Sequence, residues 1–235
     1  MKEQKLKNKL YCKDIKKITE FISSVRQNPS INDLFEKLES KGQLILVGGS
    51  IRDLVFRQES PRDIDIIVQT PCIDFDNELE RFKWTKNSFG GYKVKFNKID
   101  IDFWSIFSSW AFKEGIVDTD CKSITNSSFF NIDSIWLNIE SGEHGGYLFE
   151  SLKSRILDIV VPDKKVRSNP SRDLNILRAF YLCRDYKLKF SDKVISYVDS
   201  WLSETKSPDD ALTKAHMSHY GSYLPLDLPK SYTLY

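Results

Sequence analysis

The sequence predicts an α+β fold, in which a mixed β-sheet with flanking helices is followed by a helical region. Between residues 43 and 104, short apolar or alternating runs are typical of strands, and the first two of them end at Gly48 and Pro71. Beyond Pro162, apolar residues recur at helical spacing. The chain of 235 residues is long enough for a buried core. The predicted domains are a basic N-terminal helical extension at residues 1–28, the sheet-containing head domain at 29–168, and a helical neck with a tail at 169–235.

Two amphipathic helices are predicted ahead of the first strand. The first covers about residues 14–26, and Pro29 ends it. Ser30 is interpreted as the N-cap of the second helix, which ends near Gly42. The apolar positions of these helices are Ile15, Ile18, Phe21 and Ile22, then Ile31, Leu34, Phe35 and Leu38.

A strand, a glycine pair and a helix follow one another next. Gln43–Val47 is mainly apolar and ends at Gly48 and Gly49, which predicts a buried strand and a tight turn. Ser50 is interpreted as the N-cap of the helix that follows. Glycines let an anion approach the backbone, and the first N–H groups of a helix favour negative charge. These residues therefore predict a phosphate site.

Two pairs of aspartates lie in strand-like segments after this turn. Side chains alternate across a strand, so Asp63 and Asp65 share one face, and Asp100 and Asp102 share one face of a later strand. Two carboxylates about 5 Å apart repel by roughly 3 kcal/mol at an effective dielectric constant of about 20. A cation between them removes that cost, and Mg²⁺ bound by carboxylates commonly faces substrate phosphates. Asp63, Asp65 and either Asp100 or Asp102 therefore predict a site for two Mg²⁺, or Mn²⁺, that serves phosphoryl or nucleotidyl transfer.

The remaining segments show either strand-like or helical patterns. Further strands are predicted near residues 92–96, 99–104 and 156–161. Further helices are predicted at residues 75–82, 148–152 and 208–219. Two more are predicted between these last two, one that begins with the cap Asn169 and Pro170 and one that begins after the cap Ser191. A loop or the tip of a hairpin is expected at residues 141–146, and an irregular tail from Gly221.

Composition and charge place the chain among ordinary globular proteins. Hydrophobic residues make up 40% and charged residues 29%, and neither a membrane-length apolar run nor a signal-peptide pattern is present. Because the scattered cysteines favour a reducing compartment, we expect a cytoplasmic protein. Because no apolar run has the length of a membrane span, we expect no membrane partner. The net charge is only +2, but two basic groups could follow a phosphate backbone. They consist of Lys2, Lys5, Lys7, Lys9, Lys13, Lys16 and Lys17, and of Lys164, Lys165, Arg167, Arg172 and Arg178.

Residues 46–53 and the Asp63/Asp65 pair resemble the opening motifs of bacterial CCA-adding enzymes and poly(A) polymerases, within the DNA polymerase β-like nucleotidyltransferase superfamily. Every fixed position of the family's Leu-x-Gly-Gly-x-x-Arg-Asp is matched. Residues 148–156 and 177–179 resemble two later family segments, and the resemblance covers roughly residues 34–190. It implies a nucleotidyltransferase head followed by a helical neck.

Two segments depart from the family pattern. Lys122 is the cation that remains where the family carries Arg-Arg-Asp, beside the incoming nucleotide. The family's base-reading Glu-Asp-x-x-Arg falls on residues 171–175, where Arg172 and Asn175 stand three positions apart on one helix face. We predict that these two side chains contact the base, in a pocket that is not tuned to CTP followed by ATP.

The favoured function is transfer of a nucleoside monophosphate from an NTP to an RNA 3′ end, with tRNA as the candidate acceptor. Gly48, Gly49 and Ser50 would hold the triphosphate, and Arg52 would contact phosphate or brace the turn through an acid such as Asp53. The alternative keeps the chemistry but uses a protein or small-molecule acceptor, as in toxin or defence modules, which the short region after the neck favours. A protein partner that replaces the family's body and tail regions is also expected. A non-catalytic binding module is disfavoured because the acids are present.

Overall fold

The computed structural model describes residues 12–57, 60–87 and 90–221, which form two compact units. In this part of the chain, the first unit contains the residues up to Ser128 and Asp133–Phe149, and the second contains Phe129–Ile132 and the residues from Glu150 onward. The predicted domain boundary at residue 168 therefore lies inside the second unit. The lysines before Cys12 and the tail beyond Gly221 lie outside the described residues.

A mixed β-sheet organises the first unit, as the sequence predicts. Its strands, within the described residues, are β1 (Gln43–Val47), β2 (Asp63–Gln69), β3 (Trp84–Lys86), β4 (Tyr92–Lys95), β5 (Asp100–Ser105), β6 (Ile135–Asn138) and β7 (His144–Gly146). Their order across the sheet is β3-β4-β5-β2-β1-β6-β7. Strands β2 and β5 are parallel, whereas the neighbouring strands otherwise run antiparallel. The strands β3, β6 and β7 were not predicted from the sequence.

The alternation of β2 and β5 orients the sheet. Ile64 and Ile66 of β2, and Ile101 and Phe103 of β5, have no solvent-exposed surface. Full burial of such side chains stabilises the fold by about 1.5–3 kcal/mol each. The aspartates between them consequently point to the opposite face of the sheet.

The helices that end before residue 155 are α1 (Cys12–Val25), α2 (Pro29–Glu39), α3 (Gly49–Arg52), α4 (Trp110–Lys113) and α5 (Leu148–Ser154). The predicted cap of α2 is wrong: Asn28 is the N-cap, and its side chain accepts from the N–H groups of Ser30 and Ile31 at 3.0 and 3.4 Å. Pro29 fills the first helical position, where its missing N–H costs nothing.

The helix predicted at residues 75–82 is wrong, because only a 3₁₀ turn forms there, at Asp76–Leu79. The Tyr92 hydroxyl holds the segment instead. Its oxygen lies 2.9 and 2.8 Å from carboxylate oxygens of Asp74 and Asp76, and it accepts from the Phe75 N–H at 3.2 Å. These tertiary hydrogen bonds fix the start of the 3₁₀ turn.

The second unit is mainly helical, as predicted for the neck. Its remaining elements are β8 (Ile156–Leu157), α6 (Asp163–Val166), α7 (Arg172–Tyr186), β9 (Lys189–Phe190), α8 (Asp192–Glu204) and α9 (Pro208–Tyr220). The strand predicted at residues 156–161 shortens to β8, which pairs with β9. Ser191 caps α8 as predicted, since its hydroxyl accepts from the Val194 N–H at 3.2 Å. No helix among the described residues combines the length and apolarity needed to cross a membrane.

Candidate functional site

The glycine turn joins β1 to α3. Gly48 has φ of 71° and ψ of −141°, a backbone conformation that glycine adopts without the steric cost of a side chain. Its N–H donates to the Ile135 carbonyl of β6 at 3.0 Å, and its carbonyl accepts from the Arg52 N–H at 3.4 Å. Gly48 is therefore the N-cap of α3, and its own N–H is already used within the sheet region.

Ser50 is not the N-cap that the sequence predicts. It lies inside α3 with 3% of its surface exposed, and its hydroxyl donates to the Val47 carbonyl at 3.2 Å. The backbone N–H groups of Gly49 and Ser50 precede the first intrahelical hydrogen bond, so the helix itself does not use them. A contribution of Ser50 to anion binding would come from its backbone.

Arg52 lies in an acidic environment next to the turn. Its Nε donates to Asp53 Oδ1 at 3.0 Å, and its guanidinium also pairs with the Asp133 carboxylate. The Arg52 and Asp133 side chains are only 12% and 8% exposed. The sequence left two roles open for Arg52, contact with phosphate and bracing of the turn. This geometry favours bracing.

The four aspartates come together on neighbouring strands. In the parallel pairing of β2 with β5, Asp63 lies opposite Asp100 and Asp65 lies opposite Asp102. In-register residues of neighbouring strands project to the same face, so all four carboxylates share one side of the sheet. Asp65 is also paired with Val47, the last residue before the glycine turn. A Cβ added to Gly48 would lie 3.8 Å from Asp65 Oδ2, so the turn borders the acids.

A lysine of β4 completes this group. Lys93 lies opposite Asp102 in the antiparallel pairing of β4 with β5. Its Nζ is 2.7 Å from Asp102 Oδ2 and 3.6 Å from Asp100 Oδ2. On the far side of the group, the exposed Arg62 pairs with Asp63 Oδ2 at 3.1 Å.

The pKa values reflect this crowding of charge. Burial raises the pKa of Asp102 above its usual value, and the charges of Asp63 and Asp100 add to that effect, although the Lys93 ammonium opposes it. Burial lowers the pKa of Lys93, but the hydrogen bond to Asp102 and the surrounding carboxylates outweigh burial and raise it overall. The neighbouring carboxylates thus favour a positive charge at this site, whereas burial disfavours an unpaired charge of either sign.

The donor chemistry fits a hard divalent cation. The four aspartates on this face offer carboxylate oxygens, which Mg²⁺ and Mn²⁺ prefer as ligands. Within residues 12–57, 60–87 and 90–221, however, no three His, Cys, Asp or Glu side chains are gathered as ligands of a single ion. In the observed arrangement, the ammonium of Lys93 lies where Asp100 and Asp102 converge.

Solved structures of tRNA-processing enzymes resemble the structure of this chain. A CCA-adding enzyme in complex with ATP matches with a TM-score of 0.59 at 19% identity, over 89% of this chain and 52% of that chain. A tRNA nucleotidyltransferase complexed with a primer tRNA and an incoming ATP analog matches with a TM-score of 0.53 at 20% identity, over 74% and 51%. The Thermotoga maritima CCA-adding enzyme complexed with tRNA matches with a TM-score of 0.53 at 18% identity, over 74% and 42%. The chain has the fold of CCA-adding enzymes.

The chain spans about half the length of these solved enzymes. No protein-family model and no curated protein matches it. Because identities near 20% establish a shared fold rather than a shared reaction, the activity has to be argued from the residues of the site.

Lys122, the nucleotide contact predicted from the sequence, lies in the first unit. It immediately precedes the 3₁₀ turn Ser123–Asn126, and its side chain is exposed. Its backbone N–H donates to Asp120 Oδ1 at 2.9 Å. Its role in nucleotide binding stays a prediction.

Arg172 and Asn175, the predicted base contacts, lie in the first turn of α7 in the second unit. The guanidinium of Arg172 pairs with Glu204 and donates to Ser200 Oγ at 3.4 Å. Asn175 is 4% exposed, and its amide donates to Asn169 Oδ1 at 3.0 Å. Both side chains thus have partners of their own inside this unit.

Sequence analysis missed Lys93 and Asp133. Lys93 alternates with the apolar Tyr92 and Val94, so the sequence indicates which face of the strand it lies on. Its position opposite Asp102 depends on the pairing of β4 with β5, which the sequence does not show. Asp133 is separated from Arg52 by 81 positions, and no local pattern connects the two.

Proposed function

We propose that this chain is a metal-dependent nucleotidyltransferase that moves a nucleoside monophosphate from an NTP to an RNA 3′ end, with tRNA as the acceptor. The observation that carries this proposal is the in-register pairing of Asp63 with Asp100 and of Asp65 with Asp102, beside a glycine turn. In-line transfer at phosphorus uses carboxylates that bind metal ions, placed next to a backbone that phosphate can approach.

The glycine turn would receive the triphosphate. Gly48 has no side chain on the side that faces Asp65, so phosphate oxygens can come close to both the backbone and the acids. The N–H groups of Gly49 and Ser50 would donate to those oxygens. Arg52 would hold the turn in place through Asp53 and Asp133 rather than contact phosphate.

Asp63, Asp65 and Asp102 would hold Mg²⁺, which would stabilise the negative charge on the phosphoryl oxygens and on the leaving pyrophosphate. The 3′-hydroxyl of the acceptor loses its proton to water and its oxygen bonds to the α-phosphorus, while the bond from that phosphorus to the oxygen that bridges it to the β-phosphate breaks and pyrophosphate leaves. Asp102 is favoured over Asp100 because it lies opposite Asp65, which borders the turn.

An RNA acceptor is supported by the fold, since enzymes with this fold have been solved with tRNA. The decisive experiment incubates the full chain with each α-³²P-labelled NTP, Mg²⁺ or Mn²⁺, and total RNA. Separate nuclease and protease digestions of the product then identify the acceptor. We expect nuclease-sensitive label, and tRNA as the labelled species on a denaturing gel.

Variants connect this activity to the site. Asp63→Ala and Asp65→Ala should abolish transfer and leave the protein folded, because removal of one carboxylate relieves repulsion in the metal-free cluster. Asp33→Ala is the matched control, since Asp33 is an exposed acid of α2 that pairs with Lys37. Absence of label with all four NTPs, or normal turnover by Asp65→Ala, would overturn the proposal. Label that resists nuclease but not protease would replace RNA by a protein acceptor.

A further inference from the structure

Lys93 is held inside the acid cluster by the register of the sheet. It lies on β4 opposite Asp102, and its Nζ approaches Asp102 Oδ2 to 2.7 Å and Asp100 Oδ2 to 3.6 Å. The Lys93 side chain is 30% exposed and that of Asp102 is 18% exposed, so water screens this pair only in part.

Lys95 provides an internal comparison. It lies two residues further along β4, on the same face, and opposite Asp100. Lys95 is exposed, however, and Lys93 is the residue whose ammonium reaches both acids of β5. The same charge is thus present twice on one strand, once within the cluster and once beside it.

The position of Lys93 affects how many cations the acids can take. Its ammonium already neutralises one of the four carboxylate charges and occupies one oxygen of Asp102. A divalent cation placed between Asp65 and Asp102 would share Asp102 with this fixed positive charge. A second divalent cation bound through Asp100 and Asp102 would lie beside the ammonium that these two carboxylates already share, and it would be repelled.

We infer that Lys93 is a positioning residue that serves as a built-in cation of the acid cluster, where it holds Asp102 and replaces one of two divalent ions. The site then binds one divalent cation per chain. The inference rests on the proposed metal site, and it differs from the expectation of two Mg²⁺ drawn from the sequence.

The test counts bound metal at equilibrium, without nucleotide or acceptor. The full chain is titrated with Mn²⁺, and free Mn²⁺ is measured by electron paramagnetic resonance. We expect one bound Mn²⁺ per chain in the wild type and two in Lys93→Met. Lys93→Gln, which keeps a hydrogen-bond donor but no charge, should also bind two and serves if the methionine variant does not fold.

Two further variants separate charge from structure. Lys93→Arg restores the positive charge and should return the number of bound Mn²⁺ ions to one per chain. If Lys93 had only a structural role, that number would not depend on the charge at this position. Lys95→Met removes the same charge from the same face of β4 and should also bind one. Two Mn²⁺ in the wild type, one in both Lys93→Met and Lys93→Gln, or none in any of these proteins would overturn the inference.

The outcome is separable from that of the proposed function. If the Mn²⁺ counts are as expected but no NTP is incorporated, the transfer proposal fails and the role of Lys93 stands. If the wild type incorporates label but Lys93→Met and Lys93→Gln bind the same number of Mn²⁺ ions as the wild type, the role of Lys93 alone is refuted.

Discussion

Replacement of Arg52 by methionine tests whether this arginine braces the glycine turn. Methionine keeps most of the apolar stem but removes the guanidinium that pairs with Asp53 and Asp133. Asp133 would then keep a carboxylate that is only 8% exposed without its cationic partner. Removal of one member of a buried pair costs about 3–5 kcal/mol. Because both side chains keep a little contact with water, we expect the free energy of unfolding to fall by about 3 kcal/mol, at the lower end of that range.

Urea denaturation measures this loss, and Arg62→Met is the matched control. The Arg62 side chain is 67% exposed in its pair with Asp63, so its replacement should cost less than about 1 kcal/mol. The double variant Arg52→Met/Asp133→Asn should lose less stability than the two single variants together, because both act on one ion pair. A loss for Arg52→Met no larger than that for Arg62→Met, or strict additivity, would refute the bracing role. Weaker NTP binding at unchanged stability would instead assign Arg52 to phosphate.

Three further predictions concern the acids, the glycines and the choice of nucleotide. Asp102→Asn should reduce the rate of label incorporation at least tenfold more than Asp100→Asn, because Asp102 lies opposite the acid that borders the turn; equal, mild losses would contradict this. Gly48→Ala should cost about 1–3 kcal/mol in urea denaturation because its φ is +71°. Gly49→Ala should cost less, because Gly49 lies within α3 and has no positive φ, and equal costs would argue against strain at Gly48. Asn175→Ala should change the preference among competing CTP, ATP, GTP and UTP; an unchanged profile, or ordered C, C, A addition by the wild type, would refute a role for Asn175 in base choice.

The sequence was sufficient for the parts of the fold that local patterns encode. Alternation at Asp63 and Asp65 placed both carboxylates on one face of a strand, and Ile64 and Ile66, which alternate with them, are fully buried in the structure. The Gly48-Gly49 pair marked the end of β1 and the start of α3, because glycine permits a backbone turn that other residues resist. Period 2 and period 3.6 are properties of neighbouring residues, so they can be read without the fold.

Capping was predicted less well, because several residues at a helix start can supply the same hydrogen bond. Asn28 rather than Ser30 caps α2, and Gly48 rather than Ser50 precedes α3. In the second case burial decides the outcome, since the Ser50 hydroxyl is enclosed and bonds to the Val47 carbonyl. Residue type alone does not say which of two nearby polar groups faces the helix end.

The sequence by itself determined that this chain carries two acid-bearing strands and a glycine turn suited to phosphate. Only the tertiary structure decided that Asp102 lies opposite Asp65, that Lys93 lies opposite Asp102, and that Asp133 pairs with Arg52. The physical reason is that strand register and long-range ion pairs depend on how the whole sheet packs, and a shift by one residue would send every side chain to the other face. Local periodicity therefore sets which residues share a face, whereas the packing of the complete sheet sets which charges meet across it.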